Sequence, residues 1–352
     1  MSDSIKKEAD KLLNIENPNL YESNKDRFMD FINDHNNWYI VVFCVLFIFF
    51  IMHLLDIPVL NFIPIKDDTV KNLINSRTNN IVTMISVTFA IIGFLIANLA
   101  IKESFTYNLL FKKSTFFPVA FIALSLIASF IVLSTFSDWW SIDYQSDTLL
   151  VGTYLILIVI FLIGYLFTKL VRFTNQKYIL DLVEKELISE SKKNLLMIGR
   201  KVISLNKITE LGFYQYSMAF LIKMTKGEFV LPNDHNVISD IKIKKLRKIS
   251  EKIVGKPKVF VKDIFLYREV VPNSEDGFFY LDENDYPQLK DEIKELNNCI
   301  ITSKKGDQIH TEAKEYVLQK LQENISSNDE KLVESYLNML FEMYKLQQNF
   351  KI

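Results

Sequence analysis

The sequence predicts an all-α bundle of four transmembrane helices followed by a cytosolic α+β domain. Hydrophobic residues make up 49% of the 352 residues, with 28 phenylalanines and only 9 glycines, although 24% of the residues are charged. The apolar residues lie mainly in four uncharged stretches in the first half of the chain. Each stretch is close to the roughly 20 residues that cross a hydrocarbon core. This pattern excludes a soluble two-domain enzyme.

Charged residues or proline bound each predicted span, because both are disfavoured inside an apolar helix. Asp56 and Pro58 close the first span, Lys102 closes the second, and Lys169 follows the fourth. The predicted spans cover residues 38–55, 79–101, 116–136 and 148–168. They divide the chain into an N-terminal cytosolic segment (1–37), a transmembrane domain (38–171) and a cytosolic α+β domain (172–352).

The distribution of Lys and Arg predicts the orientation, because cationic loops tend to stay in the cytoplasm. Five basic residues precede the first span, whereas the loop between the third and fourth spans has none and carries three aspartates. We therefore expect this loop outside, both termini in the cytoplasm, and insertion in a bacterial inner membrane. Trp38, Trp139 and Trp140 lie at span ends, where an indole ring is favoured in the headgroup layer.

The predicted cytosolic domain mixes helical and strand-like patterns. A soluble helix over 173–191 is expected to continue the fourth span without a break, and Asn328 is expected to cap the last helix. The other predicted helices cover 193–208, 286–297, 310–325 and 329–350. Short runs rich in β-branched or aromatic residues predict strands at 228–231, 259–271, 278–281 and 299–302.

The sequence offers no catalytic constellation. It lacks the common phosphate-binding, nucleophile-elbow and zinc motifs, and its four histidines are scattered. Cys44 falls within a predicted span and Cys299 in the predicted cytosolic domain, so the two cysteines predict neither a disulfide nor a metal site. We therefore expect no enzyme activity, no cofactor and no metal.

A stripe of small residues distinguishes the second predicted span. Small side chains three or four residues apart share one helix face and allow helix backbones to approach closely. Two interpretations remain open: the stripe packs within one protomer, or it lines a narrow pathway or a subunit interface. The stripe comprises Ser86, Ala90, Gly93, Ala97 and Ala100, with Thr83 and Asn98 beside it.

A basic amphipathic helix is predicted over residues 241–254. Its cations suit three roles: a solvated surface paired with the acidic segment that follows, docking on the anionic inner leaflet, or binding of a small phosphorylated ligand. The net charge of −1 gives no general case for nucleic acid. The cations expected on this surface are Lys242, Lys244, Lys245, Arg247, Lys248 and Lys252.

Residues 84–113 carry a resemblance to a known group of proteins. The second span followed by a short basic segment, with Phe105, Leu109, Leu110, Lys112 and Lys113, resembles a bacterial family of four-span membrane proteins of unknown function. The resemblance covers residues 80–170 and implies the four-span topology. The layout of a bundle with a cytosolic domain is also similar to that of some bacterial phage-defence membrane effectors.

Two functional hypotheses follow. The first is a homo-oligomeric, channel-like or membrane-permeabilising protein that its cytosolic domain controls, in defence or stress. The spans have no Asp, Glu, Lys or Arg in their middles, which argues against a coupled pump. The second hypothesis is a non-conducting anchor or sensor whose cytosolic domain recruits a protein partner.

Overall fold

The computed structural model describes residues 4–51, 67–98, 103–215, 224–226, 237–253, 259–261, 267, 279–282, 290–303 and 309–351. Its contacts divide the chain into two compact units. Glu22–Glu184 form a helical unit, and Met1–Tyr21 together with Lys185–Ile352 form a mixed α and β unit. These boundaries differ from those predicted at 37 and 171, because the first residues of the chain pack with its C-terminal half.

The structure is mostly helical, and the strands among the described residues are short and belong to the mixed unit. The helices are α1 (Ile5–Glu16), α2 (Asn24–Asn33), α3 (Trp38–Ile51), α4 (Asp67–Asn98), α5 (Ser104–Ser114), α6 (Phe116–Thr135), α7 (Ile142–Arg172), α8 (Gln176–Glu210), α9 (Ile243–Ile253), α10 (Lys290–Asn297), α11 (Glu312–Ser326) and α12 (Glu330–Gln348). The strands are β1 (Tyr214–Gln215), β2 (Met224–Lys226), β3 (Val237–Ile241), β4 (Phe260–Val261), β5 (Phe279–Asp282) and β6 (Ile300–Ser303).

Helices α6 and α7 are long and apolar enough to cross a membrane. At 1.5 Å per residue, the 20 residues of α6 span about 30 Å, the thickness of a hydrocarbon core. A third span results if Pro18–Asn33 and Trp38–Ile51, which bend by 93°, are counted together. Helix α4 covers the second predicted span as far as Asn98, and residues 52–55 and 99–101 of the predicted spans lie outside the described residues.

Helix α6 is the centre of the helical unit. It packs against α3, α4, α5 and α7. It buries Val119, Ala123, Leu126, Phe130 and Leu133, which recur at three- and four-residue spacing along one side. The small and aliphatic side chains therefore let several helices approach α6 at once.

A turn separates α7 from α8. Helix α7 ends at Arg172, and the next three backbone N–H groups bond to carbonyls three residues earlier, as in a 3₁₀ turn. The Asn175 side chain then accepts the N–H of Lys177 at 2.9 Å, which stabilises a new helix start. The expectation of an unbroken helix from the fourth span into the soluble part was wrong, and α8 itself replaces the two shorter helices that were predicted.

Two small sheets build the β part of the mixed unit. One has the strand order β1-β4-β5-β2, in which β1 and β4 are parallel and the other pairs antiparallel. The other pairs β3 with β6 and has an irregularity between Ile238 and Asp240. Helix α9 buries Ile243, Leu246 and Ile249 in the same core as the strand residues Ile238, Val261 and Phe279.

The mixed unit shows which strand and helix predictions hold. Strands β5 and β6 confirm the predictions at 278–281 and 299–302 to within a residue. The segment 228–231 and most of 259–271 lie outside the described residues. Asp329, rather than Asn328, caps α12 by accepting the N–H of Leu332, whereas Asn328 takes a left-handed conformation with φ of 54° just after α11.

Candidate functional site

The small-residue stripe of α4 lies on the outside of the protomer. Thr83, Ser86, Ala90, Gly93 and Ala97 are exposed, and Asn98 is the last residue of the helix. A Cβ atom added at Gly93 would meet no atom of the described chain within 4 Å. Among the described residues, the stripe therefore makes no close helix contact at Gly93 within one protomer, which does not favour the first of its two interpretations; Ala100 lies outside the described residues.

The opposite side of α4 packs inward. Val70, Ile74, Ile81, Ile85 and Ile92 are each no more than 3% exposed. Their alternating spacing of four and seven residues is an 11-residue repeat, about three helical turns, which keeps all five on one side of α4. Large β-branched side chains face α6 and α7, with which α4 makes its contacts, and small side chains face outward.

In the helical unit, tight packing against a glycine occurs instead at Gly152 of α7, which contacts side-chain rings of α3 and α6. A Cβ atom there would lie 2.5 Å from the Phe130 ring and 2.9 Å from the Phe49 ring. The two rings make an edge-to-face pair, with centroids 5.2 Å apart, an arrangement that favours aromatic packing. Gly152 thus brings α3, α6 and α7 together. Sequence reasoning missed it because an isolated glycine has no periodic signal.

Polar contacts between helices lie near the start of α4. The Ser134 hydroxyl donates to Asn75 Oδ1 at 2.6 Å, and the Arg77 guanidinium donates to the Thr153 hydroxyl. The Thr78 hydroxyl oxygen also lies 3.5 Å from the Phe130 carbonyl oxygen of α6. These contacts fix the first part of α4 to α6 and α7. The inward contacts further along α4, at Ile85 and Ile92, are apolar.

The three predicted tryptophan anchors occupy different environments. Trp38 and Trp139 are 51% and 81% exposed, as a ring in a headgroup layer would be in the absence of lipid. Trp140 is half-buried and packs edge-on against Tyr144, with centroids 5.2 Å apart. Trp140 therefore also packs against the first turn of α7.

The basic helix forms with the expected division of faces. Lys244, Lys245, Arg247, Lys248 and Lys252 of α9 are exposed, whereas the apolar residues between them are buried. Lys242 is half-buried just before the helix. Lys252 Nζ lies 2.9 Å from Glu295 Oε2 of α10, so one cation pairs with the acidic segment, as the first of the three interpretations expects. The other four exposed cations form a surface, which we call the basic face.

The N-terminal helix α1 is part of the mixed unit. Leu13 is fully buried and contacts Gly199 of α8, where an added Cβ would lie 2.7 Å from it. Arg200 Nε of α8 lies 2.5 Å from Asp10 Oδ1. The Asn17 side-chain amide donates to the Lys351 carbonyl at 2.7 Å and accepts the Lys351 N–H at 3.1 Å. The N-terminal helix and the C-terminal residues therefore both pack against α8.

A second polar junction ties the start of α1 to strand β3. Asp240 accepts the Ser4 hydroxyl and, at 3.1 Å, the N–H of Lys6. The Lys6 ammonium lies 5.4 Å from the ring centroid of Tyr267, within cation–π range. Asp240 therefore holds the N-terminal segment against β3. No periodic pattern in the sequence pairs residues so distant.

Tyr267 lies at the centre of this junction. It is 2% exposed, its φ is 63°, and its hydroxyl pairs with the Ser204 hydroxyl at 2.8 Å. Burial raises the pKa of Tyr267 well above its ordinary value of 10; the Ser204 hydrogen bond opposes this shift, and the carboxylates of Asp240 and Asp10 add to it. The phenol therefore stays neutral and serves as a hydrogen-bonding core residue.

The described residues form no cluster of three or more His, Cys, Asp or Glu side chains that could hold a metal ion. Within this part of the chain, Cys44 is exposed, Cys299 is buried, and neither forms a disulfide. Helices that can span a membrane, joined to a mixed unit, define the class of protein as a membrane protein. Comparison with protein-family models, curated proteins and solved structures finds no match.

Proposed function

We propose that this chain is an oligomeric, four-span membrane protein whose bundle opens a permeation pathway under control of its mixed unit. The observation that carries the proposal is the composition of the mixed unit, which contains both Met1–Tyr21 and Lys185–Ile352. The helical unit is thus joined to it at two points in the chain. A change in the mixed unit can act on α2 and α3 from one junction and on α7 from the other.

The pathway is proposed to lie between protomers, not within one. The Gly152 layer is filled by the Phe49 and Phe130 rings, which leaves little room for ions at that level of the bundle. The exposed stripe of α4 supplies small and hydroxyl-bearing residues, including Thr83 and Ser86. Identical stripes from several copies can approach closely and line a narrow, uncharged pathway.

The proposed setting is a bacterial inner membrane with both termini in the cytoplasm. Support comes from the basic residues ahead of the first span and the acidic segment between the third and fourth predicted spans, which carries three aspartates and no Lys or Arg. In this orientation the basic face of α9 lies on the side of the anionic inner leaflet. Each well-placed cation there contributes about 1 kcal/mol of attraction. The proposal needs no catalysis and no cofactor, and it is compatible with a role in defence or stress.

Ion flux through the purified full chain in liposomes tests the proposal. Gly93 and Gly164 are both exposed, and an added Cβ meets no described atom within 4 Å at either position. Neither Gly93→Leu nor Gly164→Leu is therefore expected to disturb the protomer. We expect Gly93→Leu to abolish flux by separating the stripes, whereas Gly164→Leu conducts like the wild type.

The second candidate function is a non-conducting anchor whose mixed unit recruits a protein partner. The filled Gly152 layer favours it, because an anchor needs no pathway. Absence of flux from the wild type, with and without added cytosolic extract, would support the anchor. Equal flux through the Gly93→Leu and Gly164→Leu variants would show that the α4 stripe does not line the pathway.

A further inference from the structure

Helix α12 presents an apolar face that the described chain leaves exposed. Leu337, Phe341 and Tyr344 are 49%, 61% and 54% exposed. Their spacing of four and three residues places them on one side of the helix. The other side buries Tyr336 and Met339, and α12 packs against α11. A contiguous apolar surface of this kind marks an interaction site.

A groove lies beside this face, between the end of α11 and the start of α12. It encloses about 410 Å³ and its apolar walls come from Ile325, Val333 and Leu337. Phe341 follows Leu337 by one helical turn and projects next to the groove. The same surface therefore carries a projecting ring and an opening that can receive one, which is the requirement for pairing with a copy of itself.

The charges on this face favour an antiparallel arrangement, in which Lys345, 3.5 Å from Glu342 Oε1 of its own helix, also comes near a carboxylate of a second copy. At 3.6 residues per turn, Glu334 and Lys345 point within about 20° of each other, near opposite ends of the apolar face. A second α12 that runs antiparallel and crosses near Met339 brings Leu337 level with Phe341 of the second copy. The same arrangement brings Glu334 within about one residue rise of Lys345 of the second copy. A parallel arrangement would place like charges together.

We infer that the α12 face is a homotypic interface, in which two copies of this chain pair about a two-fold axis near Met339. Phe341 of each copy enters the groove of the other, and the two Glu334–Lys345 pairs flank the apolar centre. A lipid surface fits less well, because Glu330 and Glu334 lie along the same side and anionic headgroups repel carboxylates. The inference goes beyond the proposed function, since it needs neither conduction nor contact between bundles.

Cysteine crosslinking of the full chain in detergent tests the arrangement. Asn338 lies next to the proposed axis, whereas Asn328 lies at the far end of the α11–α12 hairpin. Under mild oxidation, Asn338→Cys is expected to give a disulfide-linked dimer and Asn328→Cys is not, with the native cysteines alone as the background. A parallel pair would crosslink at both positions. Crosslinking at neither position, or equally at both, would overturn the inference.

Charge exchange in the Asn338→Cys chain tests the pairing itself. Glu334→Lys and Lys345→Glu should each reduce the dimer yield several-fold, and the double exchange should restore it. Phe341→Ser should reduce the yield about tenfold or more, as expected for a central aromatic contact. Leu318→Ser, on an exposed apolar residue of α11 outside the groove, is the control and should leave the yield unchanged.

A lipid occupant would give a different result. A fluorophore at Asn338 in liposomes would then be quenched by brominated lipid, and the charge exchanges would not rescue each other. Either outcome would overturn the inference. Liposome flux that is lost in Gly93→Leu but retained in Phe341→Ser would separate this interface from the proposed pathway.

Discussion

In the helical unit, several hydroxyl groups along the predicted spans bond to carbonyls of their own helices, whereas in the mixed unit several charged side chains bond across distant parts of the chain. Ser129 donates to the Ser125 carbonyl at 2.7 Å and Thr168 to the Gly164 carbonyl at 3.0 Å. In the mixed unit, Asp10 pairs with Arg200, and Glu190 accepts the N–H of Ala313 at 2.9 Å. The two units therefore respond differently to displacement.

A hydroxyl that is satisfied by its own helix stays satisfied when that helix moves. Much of the helical unit can therefore shift without exposing an unpaired polar group, except near the start of α4, where Asn75 and Arg77 bond to other helices. Displacing α1 from the mixed unit instead breaks several charged hydrogen bonds at once. This contrast suits a rigid controlling unit joined to a bundle that can rearrange.

The largest expected effect is the loss of folding when the mixed unit is made without its N-terminal segment, residues 1–21. Burial of Ile5 and Leu13 contributes about 3–6 kcal/mol, comparable with the total stability of about 5–15 kcal/mol of a typical domain. Residues 185–352 expressed alone should therefore aggregate, and coexpression of residues 1–21 should yield a folded, soluble complex. Circular dichroism and size-exclusion chromatography measure both outcomes.

Two variants of the N-terminal segment serve as controls for that experiment. Lys11→Ala changes an exposed residue of α1, so the coexpressed segment should restore folding of residues 185–352 as well as the wild-type segment does. The Leu13→Asp segment should not restore folding. A stable fragment 185–352 without any N-terminal segment would contradict the packing of α1 as a structural part of this unit.

The second effect concerns the Gly152 layer. Gly152→Ala places a methyl group 2.5 Å from the Phe130 ring, and overpacking of this kind costs about 1–3 kcal/mol. Gly164→Ala, in open space on the same helix, should be neutral or slightly stabilising, because alanine is the better helix former. Thermal unfolding of the full chain in detergent compares them. Equal melting temperatures would argue against the close approach of α3, α6 and α7 at Gly152.

The third effect is alkaline sensitivity of the mixed unit. Because burial raises the folded-state pKa of Tyr267 above 10, the unfolded chain releases this proton at lower pH than the folded chain does. Stability from Tyr267 is thus fully present below pH 10 and falls as the pH rises further. Denaturant unfolding between pH 8 and pH 11 should show a steeper decline for the wild type than for Tyr267→Phe. Parallel pH profiles would contradict burial of the phenol.

The smallest effect on stability is expected at the basic face. Replacing Lys244, Lys245, Arg247 and Lys248 by Gln should change the free energy of unfolding by no more than about 0.5 kcal/mol, because these side chains are exposed. Binding of the mixed unit to anionic vesicles should fall stepwise with each replacement and with rising salt. A steep loss from one replacement would instead indicate a phosphate pocket.

Local patterns predicted those elements that are formed by neighbouring residues. The apolar runs predicted α6 and α7, and β-branched runs predicted β5 and β6, because burial and strand preference act within a few residues. The partners of α1, the Gly152 layer and the Asp240 junction could not be predicted, because each depends on residues brought together from distant parts of the chain. The small-residue stripe of α4 faces outward because the opposite side of α4 packs against α6. The sequence of α4 alone does not show which of its sides packs against another helix.

The discontinuous mixed unit also has a consequence for biosynthesis. Residues 1–21 are synthesised before the helical unit, whereas most of α8 and Lys351, with which they pack, are synthesised after it. Translation proceeds at about 5–20 residues per second. Ile5, Ala9 and Leu13 of α1 therefore remain exposed for on the order of tens of seconds while the helical unit is synthesised and inserted. A nascent chain that is released early would therefore carry an exposed amphipathic helix, which is the kind of segment that chaperones and proteases recognise.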